Sequence, residues 1–144
     1  MKNYIYNFFE EVGDKLKGVS WEEVAKAMRL IHHTYEYDGR IFMVGNGGSA
    51  AIASHFANDL NKTVFGHKGD KKARRFQAIC LSDNISAVTS WANDVGYEHV
   101  FSEQLKSLAK EKDLLLVISS SGNSPNIVKA AEAAKNMNIP VVGL

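Results

Sequence analysis

The sequence predicts an α/β protein: a doubly wound parallel sheet in flavodoxin-like order, flanked by helices and preceded by two more. Three observations lead there. From Arg40 onward, short apolar runs alternate with segments of helical periodicity. A glycine-rich turn, Gly45-Asn46-Gly47-Gly48-Ser49, follows the first run. A serine-rich turn, Ser119-Ser120-Ser121-Gly122-Asn123-Ser124-Pro125, follows the third.

Each element has its own justification. Tyr4, Phe8, Val12 and Leu16, with Phe9 beside them, recur at helical spacing. Ser20 caps a second helix, and Glu23 completes a capping box. The apolar stripe of that helix is Val24, Ala27, Met28 and Ile31, and Gly39 closes the region. Residues 1–38 are expected to form an N-terminal helical segment for self-association, and 39–144 the α/β domain. Ile41-Phe42-Met43-Val44 reads as a buried strand, with a helix over about 49–61 behind it. A polar, basic loop spans 62–75, and 76–81 reads as the second strand. Helices over about 84–93 and 97–110 follow. Residues 113–119 form the third strand, 124–136 a helix and 139–144 the fourth strand. Such alternation implies parallel strands with right-handed crossovers. The chain stops inside that last strand-like segment, which leaves a sheet edge open. A fragment of a longer protein, truncated on its C-terminal side, is therefore expected.

Bulk properties narrow the class. With 144 residues, 45% of them hydrophobic, one domain with a real core is within reach. A net charge of +1 gives no bulk attraction to nucleic acid. No apolar run approaches the roughly 20 residues that span a bilayer, and the start does not read as a signal peptide. The single cysteine, Cys80, has no internal partner and lies in an apolar strand. It reads as a small core residue in a reducing compartment, hence a cytoplasmic protein.

The two turns carry the chemistry. In a sheet of order 2-1-3, strands one and three are neighbours, so the turns after them face each other across the crevice where ligands bind. Glycines in the first let a ligand approach the backbone closely. Hydroxyls in the second, with helix-start N–H groups, suit a phosphate. Ser124 reads as N-cap and Pro125 as the first helical residue. The glycine turn fits neither the dinucleotide fingerprint nor the P-loop, and no nucleotide cofactor is expected. His55 and Asp59, four residues apart, share a helical face. That spacing suits two ligands of one metal, an acid–base pair or a plain surface pair. Asn93-Asp94 suits either sugar hydroxyls or a helix C-terminus. The basic loop, with Lys68, Lys71, Lys72, Arg74 and Arg75, reads as solvated, and His32, His33, His67 and His99 as surface or structural.

At these residues the chain resembles the sugar isomerase (SIS) domain family, and within it the bacterial phosphoheptose isomerases. The resemblance runs from the N-terminal helices to Leu144. It rests on Gly45-Asn46-Gly47-Gly48-Ser49, His55-Phe56-Ala57-Asn58-Asp59-Leu60, Asn93-Asp94 and Ser119-Ser120-Ser121-Gly122-Asn123-Ser124. It implies an aldose–ketose isomerase that converts sedoheptulose 7-phosphate to D-glycero-D-manno-heptose 7-phosphate, for heptose in surface glycans. Ser119, Ser120, Ser121 and Ser124 would hold the phosphate. Asn46, Gly47, Gly48 and Ser49, with Asn93 and Asp94, would bind the rest of the substrate. His55 would be a catalytic residue and zinc ligand, and Asp59 both a zinc ligand and the base. A homotetramer, with the N-terminal helices in its core and active sites between subunits, is implied as well. This chain departs from the family pattern at two positions: Asp59 replaces a glutamate, and Asn58 replaces what is usually another acidic residue. The family's partner histidine and glutamine come from a C-terminal helix that this chain does not include. The rival expectation is a non-catalytic phosphosugar-binding SIS protein with a regulatory or replication-initiator-associated role.

Overall fold

Four parallel strands in the order β2-β1-β3-β4 organise the chain, as the alternation of apolar runs and helices predicts. The computed structural model describes residues 1–63 and 74–144. Lys68, Lys71, Lys72 and His67 lie outside the described residues. In chain order the elements are α1 (Lys2–Lys17), α2 (Trp21–Glu36), β1 (Ile41–Gly45), α3 (Gly47–Asn58) and a π-helical turn (Asp59–Thr63). Then come β2 (Ala78–Cys80), α4 (Ile85–Asp94), a 3-10 turn (Tyr97–His99), α5 (Val100–Leu108), β3 (Leu114–Ile118), α6 (Pro125–Asn136) and β4 (Val141–Gly143).

The central strands are buried on both faces, which is why β1 and β3 read as continuous apolar runs. Successive side chains still alternate between two cores. Ile41, Met43, Leu114 and Leu116 pack with Ala53 and Ala57 of α3 and with Leu30 and Ile31 of α2. Phe42, Val44 and Leu115 pack with Phe101 and Leu105 of α5 and with Ile127, Ala130 and Ala134 of α6. Helices thus cover both faces of the sheet. Cys80 is buried in the first core, and burial pushes its thiol pKa up.

Several elements depart from expectation. The second strand is three residues long, not six, because it lies at the sheet edge and Ile79 is turned outward. The fourth strand keeps only Val141–Gly143, also at an edge, although the carbonyl of Pro140 still accepts from Leu115 N. The expected helix over 97–110 begins as a 3-10 turn after Gly96, whose φ is +120°, and stops at Leu108. On α2, Met28 and Val24 are exposed, while Ala27, Leu30 and Ile31 face the core and Thr34 is buried. The inward stripe is therefore rotated from the one the periodicity suggested. Ser20 Oγ accepts from Glu23 N at 3.3 Å, which is one half of the capping box. The Glu23 carboxylate is turned instead to Lys26 Nζ at 2.5 Å.

Helix α1 forms as its periodicity predicts, yet its apolar side chains remain exposed. Tyr4 is 75% exposed and Phe9 66%, with Ile5, Phe8, Val12 and Leu16 also open. At the opposite end of the sheet from the two turns, Asp113 is 3% exposed and fully partnered. It accepts from Arg40 N, Lys110 N and the Arg40 guanidinium at 2.8 to 2.9 Å. That cluster ties the start of β1 to the start of β3, which sets the register that the crevice depends on.

Candidate functional site

The crevice begins where β1 and β3 end together. Gly45 of β1 pairs in register with Ile118 of β3, so Asn46 and Ser119 leave the sheet side by side. Each turn then opens a helix: Asn46 is the N-cap of α3 and Ser124 the N-cap of α6. Two helix N-termini, with their partial positive charge and open N–H groups, therefore converge on one place.

The glycine turn is tightly built. A Cβ on Gly45 would lie 2.5 Å from backbone atoms of Ser49, so α3 approaches β1 as closely as it does only because residue 45 has no side chain. Gly47 adopts a left-handed φ of +53°, a conformation that glycine takes without strain. The helix accordingly starts at Gly47, two residues ahead of the expected Ser49. Ser49 lies in the first helical turn, where its N–H donates to the Asn46 carbonyl at 2.9 Å. Among the described residues, the N–H groups of Gly47 and Gly48 have no backbone acceptor.

The Asn46 side chain is clamped. Its Nδ2 donates to Asn126 Oδ1 at 2.9 Å, and its Oδ1 accepts from Asn126 Nδ2 at 2.9 Å and from Tyr97 Oη at 3.1 Å. Sequence reasoning missed both Asn126 and Tyr97. A signal existed for Asn126: it shares a helical face with Ala130 and Ala133, which are buried, and an amide on such a face needs a partner.

The serine turn is open by contrast. Ser119 Oγ accepts from Gly122 N at 3.2 Å, and Ser121 Oγ from Asn123 N at 3.3 Å. Ser124 occupies the N-cap position, but its hydroxyl makes no cap hydrogen bond, contrary to the sequence expectation. Its carbonyl serves the helix instead, accepting from Ile127 N and Val128 N at 3.0 Å. Ser120 and Ser121 are exposed and Ser119 and Ser124 half-buried, so the hydroxyl-rich surface is accessible to a ligand.

His55 and Asp59 come together as their spacing predicts, with Nε2 and Oδ2 3.5 Å apart. They stand about 12 and 18 Å along the helix from Gly47, at 1.5 Å per residue. The α-helix gives way to a π turn at Asp59, an irregularity that is frequent at functional sites. Both side chains are accessible, 77% and 41% exposed. Asn93 and Asp94 close α4, and Asn93 Nδ2 donates to Asp94 Oδ1 at 2.7 Å. Three residues beyond, the Tyr97 hydroxyl donates to Asn46 Oδ1, which ties the segment after α4 to the glycine turn. Of the basic loop, the described Arg74 stacks over Tyr35 and bonds the Tyr35 carbonyl, which is a structural use of that arginine.

A single chain-wide match accounts for this layout: residues 7–144 fit the SIS domain. The chain belongs to the SIS domain family. Within that family its likeness is to phosphoheptose isomerases. The one from Helicobacter pylori is 40% identical over 135 residues, covering 94% of this chain and 67% of the relative. The one from Neisseria gonorrhoeae is 37% identical over 123 residues, covering 85% and 60% respectively. Two solved phosphoheptose isomerase structures superpose over 99% of this chain. That from Neisseria gonorrhoeae has a TM-score of 0.84 at 32% identity, with 72% of its chain covered. That from Francisella tularensis has a TM-score of 0.86 at 29% identity, with 73% covered. The chain spans 60% to 67% of the length of these curated relatives. Among the described residues, no helix is long and apolar enough to cross a membrane.

Proposed function

We propose that this chain is the phosphosugar-binding and proton-transferring part of a phosphoheptose isomerase, converting sedoheptulose 7-phosphate to D-glycero-D-manno-heptose 7-phosphate for surface-glycan heptose. The observation that carries the reading is the convergence of the glycine and serine turns at the in-register ends of β1 and β3. The names of the relatives supply the substrate class, a phosphorylated heptose.

In this reading Ser119, Ser120, Ser121 and Ser124 hold the phosphate, helped by the N-terminus of α6. Gly47 and Gly48 offer open N–H groups to the sugar end, with Ser49 behind them and Asn93 and Asp94 at the rim. Asp59 lies about 18 Å along the helix from Gly47, so in this reading a neighbouring subunit supplies the base: its Asp59 removes a proton from C1 of the ketose and returns one to C2, while the O1 proton moves to O2. In this reading His55, beside it, holds or passes the proton. Aspartate is one methylene shorter than the family's glutamate, and a misplacement of about 1 Å costs on the order of 100-fold in rate. Asp59 therefore makes this a slow isomerase unless the π turn advances its carboxylate.

Zinc needs more than the described residues offer. His55 and Asp59 are two donors, and among the described residues no group of three or more His, Cys, Asp and Glu gathers to hold a metal. A catalytic zinc keeps about three protein ligands. The donor set does not fit as it stands, and no step above depends on a metal.

The exposed apolar face of α1 supports self-association, and a homotetramer in the cytoplasm is the assembly this reading favours. Deleting residues 1–35 is expected to lower the mass seen by light scattering; an unchanged mass would remove α1 from the assembly. The function itself is tested by incubating the chain with sedoheptulose 7-phosphate in heavy water and following the sugar by NMR. Exchange at C1 with appearance of an aldose is the expected outcome. Asp59→Asn is expected to slow that exchange by about 10²- to 10⁴-fold while binding persists. Phosphate shifts without exchange in the parent chain would favour a non-catalytic binder.

A further inference from the structure

We propose that Asn126 and Tyr97 are positioning residues of the crevice, and that Asn46 works as the centre of their clamp and not as a side-chain contact to the sugar. The proposal rests on the reading of the crevice as a sugar-phosphate site. Both lone pairs of Asn46 Oδ1 are taken, by Asn126 Nδ2 at 2.9 Å and Tyr97 Oη at 3.1 Å. One of its two Nδ2 hydrogens goes to Asn126 Oδ1 at 2.9 Å. A single N–H is left over, too little for an amide whose main task is to read hydroxyls.

The clamp joins segments far apart in sequence: Asn126 is 80 positions from Asn46, and Tyr97 is 51. Asn126 is 2% exposed, so its amide has no water to turn to and the reciprocal pair is enforced. Asn46 is also the N-cap of α3, and its carbonyl accepts from Ser49 N and Ala50 N. Fixing the Asn46 side chain therefore fixes the turn that aims the Gly47 and Gly48 N–H groups. Asn126 stands two residues after Ser124, in the first turn of α6. One amide pair thus sets the spacing between the glycine turn and the serine turn. A ligand that spans both turns feels that spacing, whereas a ligand held by the serine turn alone does not.

The test compares the parent chain with Tyr97→Phe and Asn126→Asp by calorimetric titration with sedoheptulose 7-phosphate and, separately, inorganic phosphate. Ionised, an aspartate at 126 can accept from Asn46 but cannot donate back; protonated, it regains the donor. At pH 8, Asn126→Asp is expected to weaken sugar-phosphate binding about 10- to 100-fold, and Tyr97→Phe about 3- to 10-fold. Inorganic phosphate is expected to change by less than about twofold in both variants. Burial at a position that is 2% exposed raises an aspartate's pKa, so at pH 5 the ratio of Asn126→Asp to parent is expected to move towards one; using the ratio cancels titration of the ligand phosphate itself. Unchanged sugar-phosphate affinity in both variants would overturn the proposal. So would equal loss of inorganic phosphate, or a pH-independent defect in Asn126→Asp. If Asn126→Asp does not fold, Tyr97→Phe still decides, because it removes one exposed hydroxyl and keeps the ring. A parent that binds inorganic phosphate but not the sugar phosphate would instead refute the underlying reading, and the proposal with it.

Discussion

The turns after β1 and β3 leave the same end of the sheet from adjacent strands, yet they are held in opposite ways. The glycine turn is locked from outside. Gly45 is pressed against the Ser49 backbone, Ser82 Oγ donates to the Gly45 carbonyl at 2.9 Å, and the Asn46 amide is clamped by residues from two other elements. The serine turn is held mostly by itself, through local bonds from Gly122 N and Asn123 N to its own hydroxyls at 3.2 and 3.3 Å. The difference separates rigidity from availability. The first turn spends its side chains on geometry and keeps backbone N–H groups for a ligand. The second leaves hydroxyls accessible, and these are the groups a phosphate needs.

Substitutions can break that comparison. The largest effect is expected at Gly45, where a methyl group would meet backbone that cannot rotate away. Gly45→Ala should cost about 3 kcal/mol or more, read as a lower midpoint in urea. A wild-type midpoint would show that α3 can shift away from β1 freely. An intermediate effect is expected at Ser124, whose hydroxyl the helix does not use. Ser124→Ala should leave the midpoint within about 0.5 kcal/mol while weakening phosphorylated sugars by about 10-fold and sparing neutral ones. Equal loss of both ligand types would place the phosphate elsewhere. No cost to folding is expected at Gly48, where a Cβ meets nothing within 4 Å and φ is ordinary. Gly48→Ala should stabilise the helix by up to about 1 kcal/mol. Weaker sugar-phosphate binding in that same variant would show that the glycine is needed for the ligand's approach. Undiminished binding would confine the glycine requirement to Gly45 and Gly47.

Much of this was legible in the chain. The runs at 41–44 and 114–118 had to be central strands, because four or five consecutive apolar residues need burial on both faces. The two turns and the His55–Asp59 pair were readable because strand order and helical spacing are local or nearly local rules. The edge strands were overestimated, since apolar content alone cannot say how much of a run finds a pairing partner. The inward face of α2 was read only in part: Ala27 and Ile31 face the core as expected, but several apolar residues compete for it, and packing chose Leu30 and Thr34 over Val24 and Met28.

The sequence by itself determined the α/β class, the parallel order and the placement of two ligand-ready turns. These follow from periodicity, from glycine and proline geometry, and from the rule that neighbouring strands bring their following turns together. Only the tertiary structure decided that Asn46 is clamped by Asn126 and Tyr97, that the Ser124 hydroxyl is left unused by its helix, and that α1 leaves its apolar face uncovered. Those outcomes depend on distances between residues tens of positions apart. A hydrogen bond made or missed across such a gap is set by how the helices settle on the sheet, and no local pattern records it.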